Sequence, residues 1–292
     1  VTNTLLVLGS ANADLVVEVG RRPGGGETVL GGDTVVLPGG KGANTAVAAA
    51  RVGGSVALVG AVGGDGYGSL LRESLESSGV DTALVKTSAR PTGIAYITVT
   101  PDGENSIVVS PGANADVSES DVDALSLDGV RVLTCSLEVP LETVIHAIDV
   151  AAKAGVRTVL NLSPVAELPA RTLEQLTVLI VNEHEAAQLA PDFEGLVRLG
   201  PKSAVVTLGA RGAAVVTEEG ITEVASIEVA EVVDTTGAGD AFAGALSARL
   251  AAGDELAVAA RYAAKVAALS VTKAGAQPSY PTAAEVSSAA AE

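Results

Sequence analysis

The order of apolar segments predicts an α/β protein: a mostly parallel central sheet covered by helices on both faces, with a small second sheet beside it. Three observations carry this. From Arg131 onward, strand-length and helix-length segments alternate regularly: Val132–Cys135, a helix over Leu141–Ala154, strands at Thr158–Leu162 and Val178–Val181, then a helix from Glu183. The first strand, Thr4-Leu5-Leu6-Val7-Leu8-Gly9, is continuously apolar and ends in glycine, as a strand buried on both faces and followed by a functional loop does. Leu15–Val19 with Asp33–Leu37, and Gly93–Thr100 with Ser106–Ser110 around the turn Pro101-Asp102-Gly103, are two pairs of short strand-like runs with no helix between them. Four antiparallel-type strands inside an alternating chain point to a sheet of their own.

Taken in order, Val1–Gly9 reads as a strand without the basic flank and long apolar run of a secretion signal. Asn12 and Asp14 follow on the loop at its carboxyl end, where they make either a turn or a polar site. Pro38-Gly39-Gly40-Lys41-Gly42-Ala43-Asn44 leads into an Ala/Val run at helical spacing, Thr45–Val52. A P-loop needs Ser or Thr after the lysine and a wider glycine spacing, so this string is not one. Ser55–Val62 is another apolar strand. The glycine-rich Gly63–Gly68 after it lacks the G-x-G-x-x-G spacing, and an amphipathic helix follows through Leu70, Leu71 and Leu75.

Glu138 lies at the carboxyl end of the strand that ends at Cys135. Asn182-Glu183-His184-Glu185 stands at a strand-to-helix junction, where Asn is a good cap and acids suit the first turn. Val205–Leu208 is a strand that runs into the glycine-bounded turn Gly209-Ala210-Arg211-Gly212, a hairpin signal. Two Ala-rich helices, Gly244–Ala252 and Glu255–Ser270, a loop over Thr272–Ser279 and a polar terminal helix from Pro281 complete the chain.

Bulk composition narrows the function classes. A chain of 292 residues, 48% hydrophobic, has ample material for a large core in one or two domains. Its apolar runs are broken well before the roughly 20 residues a membrane span needs. A formal charge of −17 repels nucleic-acid phosphates, so any bound anion needs local help from helix amides, a few cations or a divalent metal. One cysteine, Cys135, and two histidines, His146 and His184, leave neither a disulfide nor a Cys/His metal cluster, which fits a cytoplasmic protein.

The stretch with the most chemistry in it is Val233-Asp234-Thr235-Thr236-Gly237-Ala238-Gly239-Asp240-Ala241-Phe242. Two glycines around one alanine allow a tight turn, so that the N–H groups of Gly237, Ala238 and Gly239 converge at a helix start and form an anion hole. The helix N-terminus adds about half a positive charge. A carboxylate at the lip of such a hole, Asp240, is placed to take a proton from a hydroxyl attacking a phosphorus held there.

This string, continued by Ala243 and Gly244, resembles the signature of the ribokinase (PfkB) family of carbohydrate and nucleoside kinases, and ordered motifs extend the resemblance over nearly the whole chain. The resemblance implies a ribokinase-like three-layer α/β/α sandwich spanning 1–292, with a discontinuous β lid at about 12–37 and 92–110. It implies transfer of the γ-phosphoryl group of ATP to the 5-hydroxyl of D-ribose, with Asp240 as general base. Asn12, Asp14, Gly39, Gly40, Lys41, Asn44 and Glu138 would meet the sugar. Asn182, Glu185, Thr207, Gly209, Arg211, Gly212 and Gly239 would meet the nucleotide, with Glu185 ordering the water shell of Mg²⁺. Asp234, Thr236, Ser270, Lys273, Gly275 and Ser279 would hold an activating K⁺, mostly through backbone carbonyls. A homodimer through the lid is the implied assembly. The segment 186–202 is short for the family, and it borders the nucleotide site. Other members phosphorylate 2-deoxyribose, ketoses or nucleosides, and a silent sugar or nucleotide sensor on the same fold is a more distant alternative.

Overall fold

The computed structural model describes residues 3–289; the first residues of the expected N-terminal strand and the last three of the expected terminal helix lie outside them. In chain order the elements begin β1 (Leu5–Leu8), β2 (Asn12–Glu18), β3 (Val35–Gly39), α1 (Lys41–Arg51), β4 (Val56–Gly63), α2 (Gly66–Ser77), β5 (Val85–Ser88), β6 (Gly93–Val99) and β7 (Asn105–Ser110). They continue with α3 (Glu119–Asp123), β8 (Val132–Ser136), α4 (Leu141–Lys153), β9 (Arg157–Asn161), α5 (Ala170–Glu174), β10 (Val178–Asn182), α6 (Glu183–Leu189) and α7 (Phe193–Arg198). The last third holds β11 (Ala204–Thr207), β12 (Ala213–Thr217), β13 (Gly220–Val224), α8 (Ala238–Ala252), α9 (Leu256–Ser270) and α10 (Ala283–Ser288).

Nine strands form the main sheet in the order β13-β12-β11-β10-β9-β8-β1-β4-β5. All neighbours from β11 to β5 pair in parallel, and β12 and β13 close one edge as antiparallel hairpins. Alternation along each strand sorts side chains into two cores. Leu5 and Val7 face one core with residues of α1, α2, α8 and α9, and Leu6 and Leu8 face the other with residues of α3, α4, α6 and α7. Each leucine fully buried in this way contributes about 1.5–3 kcal/mol. The result is three layers, as the β/α alternation predicts. The chain runs outward in both directions from β1, so the crevice beyond the carboxyl ends of β1 and β8 lies where the strand order reverses.

The small sheet has the order β3-β2-β6-β7 and corrects one expectation. Its central neighbours β2 and β6 run parallel, Asn12 opposite Gly93 through Glu18 opposite Val99, while the two outer pairs are antiparallel. Both inner strands leave the body at the same place and point the same way, which two independent hairpins would not require. Asn12 and Asp14 therefore belong to a strand and not to a loop, with both side chains on one face.

The root of this sheet is stitched to the body by Asn114. Its Oδ1 accepts from the Ala11 amide at 2.9 Å, and its Nδ2 donates to the Ala11 carbonyl at 3.1 Å and to Asn12 Oδ1 at 2.7 Å. A second clamp comes from the loop after β4. Asp65 caps α2 through the Gly68 amide and also accepts from the amide and hydroxyl of Thr92, one residue before β6.

Candidate active site

Helix α8 is buried without a break from Asp240 to Ala248, which suits an Ala/Gly helix packed on several sides. A methyl group on Gly244 would stand 2.3 Å from the Thr45 carbonyl of α1, so the absence of a side chain there lets the two helices approach closely. The start of α1 is brought in the same way against β1: a Cβ on Gly42 would lie 2.5 Å from the Gly9 carbonyl carbon. These two contacts place the first turns of α1 and α8 side by side at the carboxyl end of β1. Asn44 and Asp240, far apart in sequence, meet there, and Asn44 Nδ2 donates to Asp240 Oδ2 at 2.9 Å.

Asp240 is 6% exposed. Burial raises its proton affinity, and so more weakly does the Glu138 carboxylate, whereas the Lys41 ammonium and the Asn44 amide pull the other way. Its second oxygen, Oδ1, accepts no hydrogen bond among the described residues. Lys41 is half-buried at the start of α1 and is not the fully solvated cation its local sequence allows. Its charge is held chiefly by Asp240, and also by Glu138 and Glu185, against a burial penalty.

Gly237 caps α8 in the left-handed region, φ 74°, and the Tyr280 hydroxyl donates to its carbonyl at 3.0 Å. The Ala238 amide donates to the Thr235 carbonyl at 3.2 Å, closing the turn. Of the three amides read from the sequence as an anion hole, that of Ala238 is thus engaged within the turn. The amides of Gly237, Gly239 and Asp240 form no hydrogen bond among the described residues, and they sit at the positive end of a 15-residue helix.

The polar groups of the lid root complete the crevice. Asp14 lies against the β3–α1 junction: a Cβ on Gly39 would fall 2.1 Å from its Oδ2, and one on Gly40, φ 90°, would strike the Asn12 amide at 2.6 Å. Burial pushes the Asp14 carboxyl up to about 7, helped by the charges of Glu138 and Asp240. Glu138 Oε2 accepts from the Ser10 hydroxyl at 2.6 Å and from the Lys41 amide at 3.2 Å, so it caps α1 while bordering the same crevice. Asn12 is 2% exposed, with Oδ1 taken by Asn114. Asn44 is similarly engaged at both ends of its amide. The Asp14 carboxylate, by contrast, is free of protein hydrogen bonds among the described residues.

Across the crevice, Asn182 and Glu185 form a reciprocal capping box at the start of α6, each amide donating to the other's side chain at 2.8 Å. One Glu185 oxygen remains outside that box. Thr207 ends β11, and the turn Gly209–Arg211 closes the hairpin to β12 with the Leu208 amide on the Gly212 carbonyl at 2.8 Å. Arg211 forms an ion pair with Glu183, joining this turn to α6. Gly212 has φ 95°, and a Cβ there would lie 2.0 Å from the Val224 carbonyl.

Behind the α8 turn, the Asp234 carboxylate bridges two loops, accepting from the Thr236 and Gly275 amides at 2.8 Å each. The hydroxyls of Ser270 and Ser279 bond to the carbonyls of Ala267 and Ala276, and Lys273 Nζ points away to Glu285 at 3.2 Å. Among the described residues, no cluster of His, Cys, Asp and Glu has the make-up of a transition-metal site, and no helix is long and apolar enough to cross a membrane.

Four contributors to this arrangement escaped the reading of the sequence: Asn114, Gln277, Tyr280 and Arg51, whose Nη1 donates to the Tyr280 carbonyl at 2.7 Å. None lies in a glycine-rich or acidic string. Only their contacts identify them.

A buried acid beside open helix amides, facing a polar crevice at a sheet's switch point, defines a phosphotransferase-type site on an α/β sandwich. A family profile described as pfkB family carbohydrate kinase matches residues 2–283, and the chain belongs to that family. Among its relatives, the ribokinase of Bacillus subtilis is 39% identical over 287 residues, covering 97% of each chain. The crystal structure of ribokinase from Thermotoga maritima superposes with a TM-score of 0.90 at 32% identity, covering 100% of both chains. That of Arabidopsis thaliana ribokinase, complexed with ribose and ATP, gives 0.90 at 32% identity over 99% of each.

Proposed function

We propose that this protein is an ATP-dependent ribokinase that transfers the γ-phosphoryl group of ATP to the 5-hydroxyl of D-ribose. The observation that carries the reading is the buried Asp240, oriented by Asn44 beside the open amides of α8, in a chain 39% identical to a ribokinase. The sugar's 5-hydroxyl oxygen attacks the γ-phosphorus, its proton passes to Asp240 Oδ1, and the bond to the bridging oxygen breaks to release ADP. The Gly237, Gly239 and Asp240 amides meet the charge that develops on the phosphoryl oxygens. A coupled assay of ADP release over a panel of pentoses, hexoses and nucleosides tests this reading. Best specificity for a nucleoside or ketose would replace ribose as substrate, and no turnover with any of them would leave a sensor.

Sugar recognition rests on Asp14, whose two carboxylate oxygens can both accept from neighbouring hydroxyls when it is ionised, whereas protonation turns one of them into a donor. With its carboxyl pushed up to about 7, acidification below that point protonates the acceptor. The KM for ribose is therefore expected to rise as pH falls from 8 to 6, and Asp14→Asn should flatten that rise. Ribose should be preferred over 2-deoxyribose by about 1–3 kcal/mol, since a missing hydroxyl leaves polar groups unpaired. Equal specificity constants for the two sugars would remove this assignment.

Mg²⁺ would accompany ATP as a hard cation keeping several waters, with the free oxygen of Glu185 and the Asn182 side chain placed to order that shell. For a monovalent cation the donors would be mainly backbone oxygens. The backbone carbonyls of Asp234, Thr236, Ser270, Lys273 and Gly275 accept no hydrogen bond among the described residues, which leaves hard oxygen donors around a carboxylate. A bound K⁺ would neutralise Asp234 and brace the turn that aims the amides. Initial rates are expected to rise several-fold when K⁺ replaces tetramethylammonium at constant ionic strength; an unchanged rate would remove the site.

The lid exposes apolar side chains: Tyr96 and Val108, directly opposite on β6 and β7, share one face, with Val108 at 68%, and Ile107 and Val109 are exposed on the other. A four-stranded sheet with two open edges and such a face gains from a partner. A homodimer through the lid is the assembly this supports, in a cytoplasmic enzyme. Light scattering should give a dimer mass that Val108→Glu converts to monomer; a monomeric wild type at micromolar concentration would count against it.

A further inference from the structure

Asn44 is not the end of the hydrogen-bond chain that begins at Asp240. Its Oδ1 accepts from Gln277 Nε2 at 3.1 Å, and Gln277 Oε1 in turn accepts from the Ser74 hydroxyl of α2 at 2.8 Å. Gln277 is 2% exposed and sits in the 3₁₀ turn Gln277–Ser279, between Gly275 and Tyr280. The direction of every bond follows from its first member. An ionised carboxylate only accepts, so Asn44 must present its NH₂ to Asp240 and its oxygen to Gln277; Gln277 must then present its own NH₂, and Ser74 must donate. The chain is polarised from end to end, and each amide is held against rotation by the next.

We propose that Gln277 is a positioning residue for the phosphoryl-transfer step, holding the Asn44 amide in the one orientation that donates to Asp240. The inference rests on Asp240 being the general base. With Gln277 in place, Oδ2 is fixed by a donor and Oδ1 is left to face the sugar hydroxyl. Without it, the Asn44 amide is free to turn its oxygen toward the carboxylate, which repels it. The other charged and titratable groups facing Asp240 are Lys41 of α1, Glu138 after β8, Asp14 of β2 and Tyr280 beyond the 3₁₀ turn. None of them touches Gln277 in the hydrogen-bond chain, so a change at Gln277 reaches Asp240 through Asn44. The segment Gln277–Tyr280 thereby grips both parts of the machinery, the base through Gln277 and the anion-binding turn through the Tyr280 bond to the Gly237 carbonyl.

Gln277→Met keeps length and removes donor and acceptor together. It is expected to lower kcat by about 10- to 100-fold, the scale of a misplaced catalytic group, with a smaller change in the ribose KM. Loss of the fixed donor also destabilises the ionised base, so the acid limb of kcat/KM moves to higher pH. Gln277→Glu, which offers only acceptors, should be worse because it draws the Asn44 NH₂ away from Asp240. Ser74→Ala removes the far end alone and should cost roughly 5-fold, the worth of one hydrogen bond; it decides the matter if both Gln277 variants fail to fold. Wild-type kcat with an unmoved acid limb in folded Gln277→Met overturns the inference. A readout independent of turnover separates it from the functional reading. The Asn44 side-chain NH₂ resonances of ¹⁵N-labelled protein should follow the Asp240 titration in the wild type and cease to do so in Gln277→Met. If they follow it equally in both, the positioning role is excluded, whether or not the wild type phosphorylates any sugar.

Discussion

Asp240→Asn is expected to lower turnover by about two to four orders of magnitude while leaving the fold and the ribose KM close to wild type. That is the usual contribution of a positioned general base. The substitution keeps the shape of the side chain and an oxygen for the Asn44 donor, so the hydrogen bond at 2.9 Å has a replacement partner. What it removes is the lone pair that receives the sugar proton. Thermal stability gives an internal control. Burial raises the proton affinity of Asp240 in the folded chain, so its contribution to stability is present at low pH and is lost as pH rises through the folded value. At pH 7 a neutral amide in its place relieves that cost, and Tm should hold or rise. Steady-state rates at saturating ribose and ATP, with Tm measured on the same preparation, test the pair. Wild-type turnover in the variant would show that the base lies elsewhere.

Gly237→Ala should be almost as damaging, for a different reason. The residue has φ 74°, where a non-glycine residue pays about 1–2 kcal/mol, and its new methyl would stand 2.4 Å from the Tyr280 hydroxyl oxygen and 2.6 Å from Ala276 Cβ. Both neighbours are buried, so the turn must move, and with it the amides that begin α8. Loss of one donor to a developing oxyanion typically costs 10²- to 10³-fold, and a fall in turnover of about that size is expected, with the ribose KM less affected. Tyr280→Phe provides the comparison. It deletes the hydrogen bond to the Gly237 carbonyl but keeps the positive φ and the packed ring, and should cost nearer 10-fold. Gly237→Ala with wild-type kcat would mean that the turn's geometry is not what binds the phosphoryl group.

The parts of this site that were legible in the sequence are those in which chemistry is concentrated within a few residues. Gly237-Ala238-Gly239-Asp240 could be read because a turn, a helix start and an acid are local events. The parallel sheet could be read because strand-length runs such as Leu5–Leu8, Val132–Cys135 and Val178–Val181 alternate with helix-length segments. The capping box of Asn182 and Glu185 and the hairpin at Gly209–Gly212 are likewise short-range, and their local readings match the contacts observed. The short strands β5 and β13 have no such signal, since Val85-Lys86-Thr87-Ser88 and Gly220–Val224 lie at sheet edges and carry little apolar patterning.

Partner choice was not legible. The resemblance puts Asn12, Asp14 and Asn44 on the sugar, and nothing in it says that Asn44 Nδ2 donates to Asp240, 196 positions away, or that Asn12 Oδ1 accepts from Asn114, 102 positions away. A side-chain amide can donate or accept in almost any loop, so its residue type says that it will find a partner and nothing about which. The parallel pairing of β2 with β6 is the same kind of fact, set by where both strands leave the body. The proton affinity of Asp14, finally, is a property of its surroundings: an isolated aspartate titrates near 4, and only the closing of the lid root over it, beside Glu138 and Asp240, moves it to about 7. Backbone turns and apolar runs are written locally because their energies are local, whereas burial and long-range hydrogen bonds exist only once distant segments have been brought together.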